Sequence, residues 1–123
     1  MDFQPARNVD EWNTLINSDS QDLIRSMDDW NSFKNTRGDV LAGLDEETIE
    51  TFTEELIFNN GSLAGARYDI LEDKLTHNQF KTLFEYFGFD IDQIFKEVDW
   101  QDYYCEGTGS CKLRSGYICT SSC

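Results

Sequence analysis

Apolar residues recur along this chain at three- and four-residue intervals between short polar breaks, a pattern that predicts a succession of amphipathic helices. Val9, Trp12 and Ile16 fall on one helical face. Leu23, Ile24, Met27 and Trp30 form a second stripe ahead of the polar break "NSFKNTRGD". In "LDEETIETFTEELIF", Asp45 can cap the helix and acidic residues fill the first turn, where the helix dipole favours them; Ile49, Phe52, Leu56 and Ile57 then repeat at helical spacing until "NNG" at 59–61. The segment "SLAGARYDILEDKL" continues the pattern with Leu63, Ala66, Ile70, Leu71 and Leu75. In "THNQFKTLFEYFG", Thr76 and Gln79 make a capping box, Phe80, Leu83, Phe84 and Phe87 make the buried stripe, and Gly88 makes the stop. A last helix is expected in "DIDQIFKEVDW", capped by Asp90, with Ile91, Ile94, Phe95 and Val98 facing inward. Alternating strand patterns and glycine-rich phosphate loops do not stand out. The expected fold is all-α: a small bundle of about five short helices followed by an irregular, cysteine-rich C-terminal tail.

Charge divides the chain at the same place. Residues 1–104 hold 23 acidic and 8 basic side chains, whereas 105–123 hold only Glu106 against Lys112 and Arg114. The chain therefore reads as an acidic helical region, 1–104, and a Cys/Ser/Thr-rich segment, 105–123. A net charge of −14 repels nucleic acid and anionic membranes, so partners should present basic or apolar grooves. The opening residues lack a basic stretch followed by an apolar run, so the chain is expected to be made and first handled in the cytosol.

Catalysis is not expected, and neither is a cofactor. The acidic region offers one histidine, no cysteine and scattered carboxylates, and His77 reads as an exposed first-turn residue. All four cysteines, Cys105, Cys111, Cys119 and Cys123, lie in the last nineteen residues. They lack the tight Cys-x-x-Cys pairs of structural zinc sites, so no metal is assigned, and disulfides formed after export rank somewhat above zinc. Among the thiols stand Thr108, Ser110, Ser115, Thr120, Ser121 and Ser122, and little apolar surface. Such a tail needs covalent cross-links to acquire a shape. Elimination of a Ser or Thr hydroxyl gives an electrophile to which a cysteine thiolate can add as a thioether. Thr108–Cys111, Ser115–Cys119 and Thr120–Cys123 are close enough in sequence to close small rings. Cys105 has no hydroxyl residue close upstream; it is left to pair forward with Thr108 or Ser110, to join another cysteine, or to stay free.

The run "SCKLRSGYICT", Ser110–Thr120, resembles the core of class II lanthipeptide precursors, and "LIRSMDDW" followed by "LAGLDEETIETF" resembles leaders of the mersacidin-like group. That resemblance implies a ribosomally made precursor of a thioether-cross-linked antibacterial peptide. Its leader would recruit a lanthipeptide synthetase and a leader peptidase/transporter, and the excised core would be secreted towards a bacterial cell-envelope target. It makes Cys111, Cys119 and Cys123 ring cysteines and Ser115 and Thr120 their partners, with a Cys105–Cys111 disulfide as the variant it suggests. A second reading keeps the acidic region as the working part, an inhibitor or nucleic-acid mimic that fills a basic protein groove. A metal-binding tail is the third.

Overall fold

The computed structural model describes all residues, 1–123, and its fold is α/β rather than all-α. Six helices accompany a four-stranded antiparallel sheet of order β1-β2-β4-β3. The helices are α1 Val9–Ile16, α2 Met27–Thr36, α3 Glu46–Glu54, α4 Asp69–Glu72, α5 His77–Phe87 and α6 Ile91–Glu97. The strands are β1 Ile57–Asn59, β2 Ser62–Arg67, β3 Gln101–Gly107 and β4 Ser110–Cys119. No helix is long and apolar enough to cross a membrane.

Helix boundaries follow the capping chemistry. Asn8, Ser26, Asp45, Thr76 and Asp90 each accept a backbone N–H at a helix start, and the Thr76/Gln79 box is closed in both directions. Leu23 and Ile24 are buried, but in the connection ahead of α2. The main departure is "SLAGARYDILEDKL". Its first half is β2, and only Asp69–Glu72 is helical. Ser62–Ala66 are all buried, so the strand is covered on both sides and shows no alternation for a periodicity reading to find. Asn60 and Gly61, both at positive φ, make the two-residue turn between β1 and β2, the geometry for which Asn-Gly is preferred.

The expected irregular tail is also corrected. Residues 105–123 continue β3, supply β4 and end in a buried C-terminus, and position 105 lies inside a strand rather than at a boundary. Beyond β4, Thr120 donates its backbone N–H to the Ala64 carbonyl at 2.9 Å and its hydroxyl to the Leu63 carbonyl at 2.6 Å. Ser122 Oγ accepts from the Trp12 indole at 3.2 Å and from Ser62 Oγ at 2.6 Å. The Trp12–Ser122 contact joins positions 110 residues apart.

β4 is not straight. Eight residues of extended chain cover roughly 26 Å at about 3.3 Å each, yet the Cα atoms of Cys111 and Cys119 are 5.9 Å apart. The register explains the difference: Gln101 faces Ile118, whereas Tyr103, two positions on, faces Leu113. The hairpin doubles back there, with Asp102 at φ 68° and Gly116 at φ 89° on the two arms. Asp102 Oδ1 accepts the Gly116 N–H at 3.0 Å and the Tyr68 hydroxyl, while the Tyr68 N–H donates to the Gly116 carbonyl at 2.8 Å. Arg114 lies over the rings of Tyr104 and Tyr117 beside the reversal, at 5.0 and 4.5 Å.

An aromatic core fills the space between helices and sheet. Trp12 meets Phe89 and Trp100 edge-on, and Trp30 stacks on Phe33 and Phe87. A smaller apolar cluster, Ala64, Cys105, Cys119 and Cys123, lies apart from it. At Gly65, which pairs with Cys119, an added β-carbon would stand 3.3 Å from Cys105 Cβ, so a bare backbone is what lets the folded-back hairpin approach.

Two outcomes follow from the Tyr68–Asp102–Gly116 junction. A β-carbon at Gly116 would lie 2.7 Å from Asp69 Cγ in a backbone region L residues avoid, so Gly116→Ala should lose at least about 2 kcal/mol, from left-handed strain of about 1–2 kcal/mol plus the clash; urea denaturation measures it. Burial, and then the hydrogen bond to Asp102, push the Tyr68 phenol up from 10.0 to about 12. A raised folded-state pKa means its contribution is complete below pH 10 and is lost as pH climbs towards about 12. Unfolding midpoints taken across that window should fall for the wild type and fall less for Tyr68→Phe.

Candidate functional site

Two features stand apart from the aromatic core: the sulfur cluster of the doubled hairpin and the outer face of α3. The cysteines pair as Cys105–Cys123 and Cys111–Cys119, with Cα separations of 5.8 and 5.9 Å, and none is free. The Cys105–Cys111 disulfide that the family resemblance suggests is not formed; these two residues face each other across β3 and β4 instead. Cys105, Cys119 and Cys123 are buried, and their sulfurs lie within 4.8 Å of one another, whereas Cys111 is exposed. The doubling-back of the hairpin brings together four thiols separated in sequence by five, seven and three residues.

The hydroxyl residues divide by position. Thr108 and Ser115 are exposed, in the hairpin turn and at the reversal, Ser110 is half-buried at the start of β4, and Ser121 is exposed. Thr120 and Ser122 are buried and hydrogen-bonded to the rest of the fold. The cysteines of the ring pairs drawn from sequence proximity are instead all joined to other cysteines. Thr120 Oγ1 is committed to Leu63, and its neighbour Cys123 reaches Cys105.

α3 carries the densest run of carboxylates. Residues 45–55, "DEETIETFTEE", hold six acids and no base. Glu46, Glu50 and Glu54 are exposed, lie four residues apart on one face, and join no ion pair. They line a shallow groove with Ile49, Thr53 and Lys34 of α2. The inner face of the same helix is anchored by Phe52, packed edge-on against Trp30 and Phe87. Asp45 caps the helix, and its hydrogen bond with Thr48 holds its carboxyl below the usual aspartate range. Elsewhere the bases are largely consumed locally, in Arg7–Glu11, Arg37–Asp39, Arg67–Asp69 and Lys81–Asp90 pairs.

Glu46, Glu50 and Glu54 were not singled out from sequence. The four-residue spacing that reveals them was present, but it coincides with an ordinary solvated helix face. His77 stands where expected, exposed in the first turn of α5, its Nε2 2.8 Å from Asp92 Oδ1. The chain matches no protein-family model, no curated protein and no solved structure.

The disulfides also set a stability expectation. By loop-closure entropy, the bridge spanning 18 residues is worth about 3 kcal/mol and the one spanning eight about 2.5 kcal/mol. Because the shorter loop is nested in the longer, the two should not add in full. Urea denaturation of the metal-free chain with and without a reductant should show a clear fall in midpoint, and the Cys111→Ser/Cys119→Ser pair an intermediate one.

Proposed function

We propose that this protein is a non-catalytic acidic binding protein whose α3 face enters a basic groove on a partner protein and occludes it. The observation that carries the reading is the exposed row Glu46, Glu50, Glu54, which joins no ion pair and outnumbers Lys34, the one base in its groove. Like charges at i and i+4 destabilise a helix by about 0.2–0.5 kcal/mol per pair, and this helix contains two such pairs side by side. Adjacent charges in the row are about 6 Å apart along the axis, inside the Debye length of about 8 Å at physiological salt. They therefore act on a partner as one field.

Magnitude also chooses between an inhibitor of a basic groove and a faithful copy of a duplex. Double-stranded DNA presents one charge per about 1.7 Å of axis, several times the density of a row with one charge per about 6 Å. A protein groove lined by a few lysines or arginines is the better fit.

The lanthipeptide-precursor reading asks residues 105–123 to meet a synthetase as accessible chain and later to leave. Burial of Cys105, Cys119, Cys123, Thr120 and Ser122 would require the sheet to be opened first, and excision would remove all of β4 and the end of β3 from Cys105 onward. It is the less favoured reading for that reason.

The experiment uses the full chain as bait in extract of the producing cell, with cross-linking, beside Glu46→Gln/Glu50→Gln/Glu54→Gln. A basic protein cross-linked through α3, absent when salt is raised before cross-linking and lost in the triple variant, is the expected result. Equal capture by both chains overturns the reading. Intact mass of the chain from its producer separates the alternative: two disulfides remove four hydrogens, whereas each dehydration removes a water.

A further inference from the structure

We propose that, when reduced, Cys105, Cys111, Cys119 and Cys123 form a tetrathiolate site for one thiophilic divalent cation of the zinc type, which clasps the same folded-back hairpin that the two disulfides hold. Zinc bound at about 2.3 Å by tetrahedral sulfurs needs them roughly 3.8 Å apart. Three of the four sulfurs already lie within 4.8 Å of one another on buried side chains. The fourth, Cys111, is bonded to Cys119 and sits opposite Cys105 across the hairpin. Opening each S–S bond to the ligand spacing takes side-chain rotation of about 2 Å, and Cα separations of 5.8 and 5.9 Å leave room for it without moving strands.

Sequence spacing argues against zinc because no Cys-x-x-Cys turn delivers two sulfurs together. Here the reversal at Asp102 and Gly116 performs that delivery, with ligands from β3, from both limbs of β4 and from the C-terminal residue. Three buried ligands and one exposed suit a structural site open on one side to a reductant or a chelator.

The exchange balances. A dithiol reductant, attacking first at exposed Cys111, gives two electrons and two protons to each bridge and is itself oxidised to a disulfide. Four thiols then bind one cation and release up to four protons. Two equivalents of a disulfide oxidant re-form Cys105–Cys123 and Cys111–Cys119, take up the electrons and eject the cation. The inference is independent of the α3 carboxylates.

The test is made on the full chain, reduced with a phosphine under anaerobic conditions, freed of reductant and titrated with Co²⁺ and then Zn²⁺. Expected are one Co²⁺ per chain with thiolate charge-transfer and tetrahedral d–d absorption, stoichiometric displacement by Zn²⁺, and protection of the thiols from alkylation. Oxidised glutathione should then release the zinc as the thiols disappear. Cys119→Ser and Cys123→Ser should weaken cobalt binding by more than the roughly 10–100-fold that loss of a supporting outer group costs. Weak octahedral cobalt bands, or alkylation at the same rate with and without zinc, overturn the proposal. Both readouts are taken on the unmutated chain, so they decide the matter even if a serine variant fails to fold.

Discussion

The carboxylate of Asp102 holds two arms of one hairpin in reversal, and the architecture of the C-terminal half depends on that contact. It accepts the backbone N–H of Gly116 and the hydroxyl of Tyr68, while Tyr68 is tied back to Gly116 through the main chain. Two residues at positive φ face each other there, one a glycine and the other an aspartate, a side chain that tolerates the left-handed region better than most. Without the reversal, Cys111 and Cys119 would stand about a strand's length apart, and neither the bridges nor the buried sulfur cluster could exist.

The hairpin needs a clasp because it has little else. Residues 106–115 are almost all exposed, and Leu113, its largest apolar side chain, is 77% exposed. The apolar cluster beneath it contains one alanine and three cysteines. Ordering a residue costs about 1–2 kcal/mol in backbone entropy, and a cluster so small cannot offset that for ten residues. The expectation from sequence that this segment needs cross-links to gain shape, and the observed pairing of all four cysteines, rest on the same physics. What the sequence did not disclose is that the segment is also joined to the body as strands.

Legibility followed the range of the interactions. Helices α1, α3, α5 and α6 could be read because caps and apolar spacing are local, and Asn8, Asp45, Thr76 and Asp90 act within four residues of themselves. β2 was misread as helix because burial on both sides removes alternation, leaving Leu63, Ala66 and Ile70 at an accidental helical interval. Asn60-Gly61 was the available signal for its turn. β4 could not be read locally: its last residues pair with Gly65, Ala66 and Arg67 of β2, and Thr120 and Ser122 beyond it bond to Leu63, Ala64, Ser62 and Trp12, all far away in the chain. The sulfur cluster was hidden for the same reason, since spacing along the chain says nothing of a strand that folds back.

The acidic row and the clasp lie on different elements, but both are backed by the same aromatic core. Nine residues of helix bearing adjacent like charges would not persist alone, because short isolated helices are marginal even without repulsion. α3 is held by its opposite face, where Phe52 packs on Trp30 and Phe87. Phe87 meets Phe84, Phe84 meets Phe89, and Phe89 packs against Trp12 and Trp100. Trp12 is in turn fixed through its indole N–H to Ser122, one residue before the cysteine that closes the longer bridge. The aromatic packing that anchors α3 thus runs without a break to Trp12, whose indole is tied to the segment that closes the longer bridge.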